Sequence, residues 1–386
     1  MALVELGSIL HFEKGKKPIS QSDSPADGFL PYVDIEAFET GKIKQYTDGT
    51  KCTPCDDGDI LIVCDGSRSG LVGRAVKGYV GSTLAKISAD FLSDQYLFHF
   101  VQGKYALLNT KKKGTGTPHL NQELLKQQKL IVPSYSEQER IVARIEKLFS
   151  QLDAGVETLK KTKAQLAVYR QAVLKEAFEG DYPRKQLKEF SKAISGFAFK
   201  SSRYSPDGNY VVVKIGNVKE RHFDFSRDLT KTLEADDSIL EKYLLRRGDC
   251  LITLTGSRGK RDYGFVAMVG NQNNYLLNQR VAALRFDQSV ALPEFFQYYL
   301  ASPSYRDMFF GYETGNVGQG NVGIKALLDP NVILPDIDTQ KRIVEDVEDR
   351  LSVCDSIEQT VDAALQQAEV MRQSILKDAF EGRLLE

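Results

Sequence analysis

The apolar positions of this chain follow two patterns. Over Ile131 to Gly180, and again over Ile333 to Gly382, they recur at alternating steps of four and three. The first stripe is Ile141, Ile145, Leu148, Leu152, Leu159, Leu166, Tyr169 and Val173; the second is Ile343, Val347, Leu351, Cys354, Ile357, Val361, Ala368, Met371 and Ile375. This spacing keeps apolar side chains on one side of a helix and makes the seam of a coiled coil. Gly155 is the one breaker inside the first pattern, and the second has none. Each stretch predicts a helix of about 42 residues, a rod of roughly 60 Å. Ser136 with Glu139 predicts a capping box at the first start, and Asp338 a cap at the second. Gly180 and Gly382 stand where C-terminal caps belong. Elsewhere the apolar residues form short runs between glycine turns, which predicts mixed α+β globules.

The two rods are copies of one another. At a constant offset of 202 positions, roughly 20 of the 50 aligned pairs are identical. Gln138-x-Arg140-Ile141-Val142 recurs as Gln340-x-Arg342-Ile343-Val344, and the ends share Lys-x-Ala-Phe-Glu-Gly. The segments before them match more weakly. Gly58-Asp59 and Gly248-Asp249 each open a buried strand, and Gly66-Ser67-Arg68 and Gly256-Ser257-Arg258 follow at equal distance. Aromatic-rich helical stretches come next, Gln95 to Leu107 and Glu294 to Phe310, and then Gly-rich loops over 114–119 and 315–321. The fold class is therefore α+β. Globules over 1–131 and 181–334 are separated by helical regions over 132–180 and 335–386. The two rods are expected to pack antiparallel, relating the halves by a pseudo-two-fold axis and placing the globules at opposite ends.

Signatures of catalysis are mostly absent from this sequence. The Gly-rich loops lack the Gly-Lys-Ser/Thr ending of a phosphate-binding loop. Asp329-Pro330-Asn331-Val332 lacks the second proline and the aromatic of an amino-methyltransferase motif. Asp336, Asp338 and Lys341 open a rod, where helix capping accounts for them. Cys52-x-x-Cys55 is one pair where zinc needs four ligands. His11, His99, His119 and His222 show no ligand spacing, and turn formation accounts for Asp59 and Asp249. No apolar run is long enough to span a membrane, the first residues do not read as a secretory signal, and five cysteines in so long a chain point to the cytoplasm.

Candidates for binding are clearer. Lys16 and Lys17, then Lys111, Lys112 and Lys113, form basic clusters in the first globule. Arg258, Lys260 and Arg261 form one in the second. Lysine and arginine in Gly-rich loops suit phosphates, and an arginine fork also suits a guanine edge. Ser67, Arg68, Thr115 and Thr117 in the first globule, and Ser257, Asn316, Gln319 and Asn321 in the second, complete the polar loop set. Asn and Gln pair with adenine. The rod-end residues Leu174, Phe178, Leu376 and Phe380 could dock two copies of one partner, or pack against the globules.

Taken together, the chain resembles the specificity subunits of type I restriction–modification systems over essentially its whole length. The duplicated Gln-x-Arg-Ile-Val and Lys-x-Ala-Phe-Glu-Gly carry the resemblance. The two Gly-Asp-x-Leu-Ile strands and Gly196-Phe197-Ala198-Phe199-Lys200-Ser201 add to it. It implies two target recognition domains, each reading half of a split DNA site, with helices that set the spacer. Lys200 joins the candidate contacts on this ground. The subunit would have no catalytic activity and bind no cofactor. Two adenine-methyltransferase subunits would carry S-adenosylmethionine, and restriction subunits would use ATP and Mg2+. The alternative is a coiled-coil scaffold whose globules bind something other than DNA.

Charge changes this picture little. The net charge is −1 over 386 residues. The second rod (338–382) holds 5 basic and 11 acidic residues, the first (137–180) holds 8 and 7, and the remainder is mildly basic. Near-neutrality overall therefore permits DNA binding, with few phosphate contacts from this chain alone.

Overall fold

A computed structural model describes residues 2–114, 118–232, 237–316 and 318–384. The chain forms two compact units. One holds 1–160 with 362–386, and the other holds 161–361. Each long helix is continuous, Tyr135–Ala177 and Ile337–Phe380, and each contributes one half to either unit. The compact units thus cut across the linear order of globules and rods.

In the first unit the main strands are β1 (Ala2–Glu5), β2 (Leu10–Lys14), β3 (Leu30–Val33), β4 (Ile60–Val63), β5 (Val72–Arg74), β6 (Gly78–Val80), β7 (Leu84–Ala89) and β8 (Lys129–Val132). Helices α1 (Asp94–Gly103), α2 (Tyr105–Thr110) and the long α3 (Tyr135–Ala177) accompany them. An antiparallel sheet runs in the order β2-β7-β4-β5, and in a smaller sheet β3 lies parallel to β6. The strand β4 reads Ile-Leu-Ile-Val and is buried throughout, so its alternate side chains feed two cores. Gly58 precedes it at φ 87°, the left-handed turn that the Gly-Asp pair predicts.

The second unit repeats the plan. Its main strands are β9 (Arg184–Gln186), β10 (Ser191–Ser195), β11 (Tyr210–Val213), β12 (Cys250–Thr253), β13 (Thr255–Ser257), β14 (Val266–Met268), β15 (Tyr275–Leu277), β16 (Val281–Phe286), β17 (Gln319–Asn321) and β18 (Asn331–Ile333). Its helices include α4 (Pro293–Ala301), α5 (Pro303–Gly311) and the long α6 (Ile337–Phe380). The sheet order β10-β16-β12-β14 matches that of the first unit, and β11 is parallel to β15. Asp249 is almost wholly buried beside β12. Arg285 binds it through two hydrogen bonds of 2.7 Å, so the aspartate is a structural ion pair.

Each globule is closed at the foot of a long helix. Antiparallel β1–β8 sets Ala2 opposite Val132, and β9–β18 sets Arg184 opposite Ile333. The duplicated glutamines begin the helices there. Gln138 accepts from Ser93 N at 2.7 Å and donates to the carbonyls of Phe91 (2.8 Å) and Pro133 (3.1 Å). Gln340 does the same with Leu292 N (2.8 Å) and with the Val290 (2.8 Å) and Pro335 (2.7 Å) carbonyls. The duplicated rod-end phenylalanines complete the grip. Phe380 meets Tyr96 and Phe100 edge-on at 5.0 and 5.2 Å; Phe178 meets Phe295 and Tyr299 at 5.3 and 5.2 Å. The start of one long helix and the end of the other therefore hold each globule.

Several local expectations are corrected. The first capping box is Ser134 with Glu137, and Asp336, bonded to Thr339, caps the second helix. Both long helices start at the residue next but one after a proline, earlier than Ser136 and Asp338 would have them. The aromatic stretches each divide into two helices, at Lys104 and at Ser302-Pro303. Within each unit the long helices pack antiparallel. In the second unit Arg170 pairs with Asp355 and Glu358, while Glu176 pairs with Arg350. In the first unit Arg372 pairs with Asp153. The seam keeps Ile145, Val173, Val347, Leu351 and Cys354 buried, whereas Tyr169, Ile357 and Met371 lie 47%, 40% and 47% exposed. An ideal helix drifts by about 20° per heptad from a 3.5-residue stripe, and these positions turn outward.

Candidate nucleic-acid interface

The loops singled out in the sequence meet in pairs. In the second globule β13 pairs with β17, setting Ser257 opposite Gln319 and Thr255 opposite Asn321. Arg258 N donates to Gly318 O, and Gln319 N to Asn316 O. Ser257, Arg258, Asn316, Gln319 and Asn321 thus form one surface. The first globule makes the same junction with a single bridge, Asp65 to His119. Ser67 O accepts from Lys112 Nζ at 2.9 Å, and Gly66 N donates to Pro118 O at 2.8 Å. The Gly-Ser-Arg turn and the Gly-rich loop are therefore neighbours in both globules.

The arginines of the two turns are not free. Arg68 is paired with Glu39. Arg258 lies 3.3 Å from Glu313 and donates to Gly315 O. Arg261, left-handed at φ 49°, stacks on Phe310 at 4.8 Å. Contact with DNA by these residues would exchange a carboxylate or a ring for a base edge or phosphate. Lys16, Lys17, Lys111, Lys113, Lys200 and Lys260 are exposed. The first two follow Lys14, whose Nζ lies 3.0 Å from Asp65. Lys200 belongs to a different loop, whose first part is bonded to the turn after β15. Thr115 and Thr117 lie outside the described residues.

The rod-end residues are placed differently from a docking face. Leu174 and Phe178 sit in the core of the second unit, and Leu376 in that of the first. Phe380 is partly buried against the α1 aromatics. Leu174 and Phe178 are covered by the second globule, and Leu376 and part of Phe380 by the first. Aromatic residues four apart on α1 and on α4 form a slot for each phenylalanine.

Sequence reasoning missed the groups that hold these loops. Burial would raise the Asp65 carboxyl, but hydrogen bonds from His119 and Lys14 outweigh it and hold it below the usual carboxylate range. Asp262 accepts from Ser257 through backbone (2.6 Å) and hydroxyl (3.0 Å), which lowers its carboxyl too. Arg306 donates to Gly264 O at 2.8 Å and braces the second turn. Only the position of Asp65 immediately before Gly-Ser-Arg hinted at any of these. Among the described residues no group of His, Cys, Asp and Glu has the arrangement of a metal site. Cys52 and Cys55 are free thiols, and burial pushes that of Cys55 up to about 11.

Duplicated mixed globules with paired polar loops, each gripped by the long helices, are the make-up of a binding protein built from one repeated half. The family model described as the type I restriction modification DNA specificity domain matches residues 1–166 and 179–367. The chain belongs to this family, whose general role is DNA recognition and not catalysis. It is 25% identical to the type I restriction enzyme MjaVIII specificity subunit of Methanocaldococcus jannaschii, over 99% of this chain and 92% of the relative. It is 28% identical to the EcoKI specificity subunit of Escherichia coli, over 66% and 57%. Among solved structures, one from a study of complex assembly in a type I R-M system superposes with a TM-score of 0.75 at 20% identity, covering 99% and 98% of the two chains. The HsdS subunit of Thermoanaerobacter tengcongensis gives 0.53 at 20%, covering 99% and 97%. These likenesses show the same fold.

Proposed function

We propose that each globule reads one half of a bipartite, asymmetric DNA target, and that the long helices set the distance between the halves. The observation that carries this reading is the paired loop. It recurs at one topological position in both globules: the turn keeps Ser and Arg in each (Ser67 and Arg68, Ser257 and Arg258), while the loop that faces it differs, with Lys112 in one and Gln319 in the other. Non-identical readers call for non-identical half-sites. The long helices also dock two adenine-methyltransferase subunits. Apolar side chains left exposed on them, Val168, Tyr169, Val353 and Val370 among others, suit that role better than the buried rod ends. Restriction subunits join in the full enzyme. S-adenosylmethionine, ATP and Mg2+ belong to those partners, and the assembly works in the cytoplasm. No helix among the described residues is long and apolar enough to cross a membrane.

The test is to exchange residues 1–131 for the first globule of another family member and sequence the methylome of a host expressing the hybrid with its methyltransferase. One half-site changes and the other half is kept. Change at both halves, or at neither, overturns the reading.

A further inference from the structure

The turn between β15 and β16, Asn278-Gln279-Arg280, is pinned by its surroundings. Phe197 N donates to Leu277 O, Gln279 N to Phe197 O and Leu254 N to Arg280 O, each at 3.0 Å. Gly196 packs so closely that a Cβ there would sit 1.8 Å from Asn278 O. In this fixed turn Arg280 is left-handed, at φ 69°, a conformation that favours glycine. The first globule has Thr83 at the same place. Cys64 N donates to Thr83 O at 2.8 Å, the strand β7 starts at the next residue, and the backbone there is not left-handed. The main-chain site is common to both globules, and the side chain differs.

The Arg280 side chain is exposed and has no hydrogen-bond or ion-pair partner among the described residues. Arg258, Arg285 and Arg306, by contrast, are each held by a carboxylate or a carbonyl. Arg280 lines an open cleft of about 510 Å³ together with Lys219, Thr255, Ser257, Asp262 and Gln319. Both Asp262 oxygens accept from Ser257, so that carboxylate is already engaged. The cleft therefore presents an exposed guanidinium, carried by a pinned, left-handed main chain and without a hydrogen-bond or ion-pair partner among the described residues, beside hydroxyl and amide groups. A phosphate contact asks for charge, which a flexible lysine supplies. A base edge asks for a planar fork extended from a fixed main chain, and the arginine fork matches O6 and N7 of guanine.

We infer that Arg280 is a specificity-determining residue of the second globule, reading a guanine in the half-site that this globule recognises. The inference rests on the DNA-reading role proposed above. The test uses the full chain assembled with its methyltransferase subunits, carrying Arg280→Ala, Arg280→Lys or Arg280→Gly. Methylation is measured across a duplex library randomised over both half-sites. Each variant loses discrimination at one base pair of one half-site by roughly ten- to a hundredfold, with the other positions and the salt dependence kept. Arg280→Gly is at least as heat-stable as the parent, because glycine takes this backbone without strain. A uniform loss over all sequences with a shallower salt slope assigns Arg280 to phosphate and overturns the inference. Unchanged specificity does so as well, and so does a less stable glycine variant, which makes the side chain structural. Failure of the parent complex to prefer any sequence overturns the DNA-reading role itself, and is seen before any variant is compared.

Discussion

The Gln138 side chain satisfies three main-chain groups at once, the Ser93 N–H and the Phe91 and Pro133 carbonyls, in a place closed to water. Gln340 repeats this in the other unit. Truncating either to alanine leaves buried polar groups unpaired, at about 1–3 kcal/mol each. Gln138→Ala and Gln340→Ala are therefore each expected to lose a few kcal/mol in urea unfolding. Hydrogen exchange should localise the loss to the foot of the affected helix, and a stability change within error would refute the account. The duplicated Gln was legible in the sequence as a motif, but its role was not. Two of the three partners of each lie 45 to 50 positions away, and no local pattern marks them. The same holds for the carboxylates on Arg68 and Arg258. The sequence shows the arginines, and only folding brings Glu39 and Glu313 to them.

At the scale of elements, the helices were the most legible feature. A four-three apolar stripe repeated over 50 positions matches the period of a helix and of no strand, and both helices extend as that stripe predicts. Their caps and the outward turn of Tyr169, Ile357 and Met371 were not legible. Capping depends on where the preceding strand releases the chain, and exposure depends on the drift between helix and heptad. Gly155 lies inside the first helix, and a Cβ added there would meet open space. Adding one heptad to each long helix lengthens it by about 10 Å. If the helices set the distance between readers, the methylome of such a variant shows the same two half-sites with a longer unread spacer. An unchanged spacer removes the helices from that role.

For the whole molecule, charge decides what the chain does alone. The total is −1, and the second long helix is markedly acidic. Few phosphates can be neutralised by the described basic loops, and two of their arginines already face carboxylates. Affinity that depends on phosphate contacts falls steeply with salt. The isolated chain is therefore expected to give weak, salt-sensitive gel shifts. Adding the methyltransferase subunits should bring tight binding to the specific target. Tight specific binding by the chain alone would contradict this.

By itself the sequence determined the duplication, the two long helices, the mixed character of the globules and the family. These are properties of periodicity and repetition, which reside in local order along the chain. Tertiary structure decided the rest. It placed the start of one helix and the end of the other on each globule, buried Leu174, Phe178 and Leu376 in the cores, and set Ser257 opposite Gln319. It also left Arg280 lining a cleft, with no side-chain partner among the described residues. The physical reason is that these contacts join residues tens to hundreds of positions apart, through hydrogen bonds and close packing that exist only once the sheets have closed.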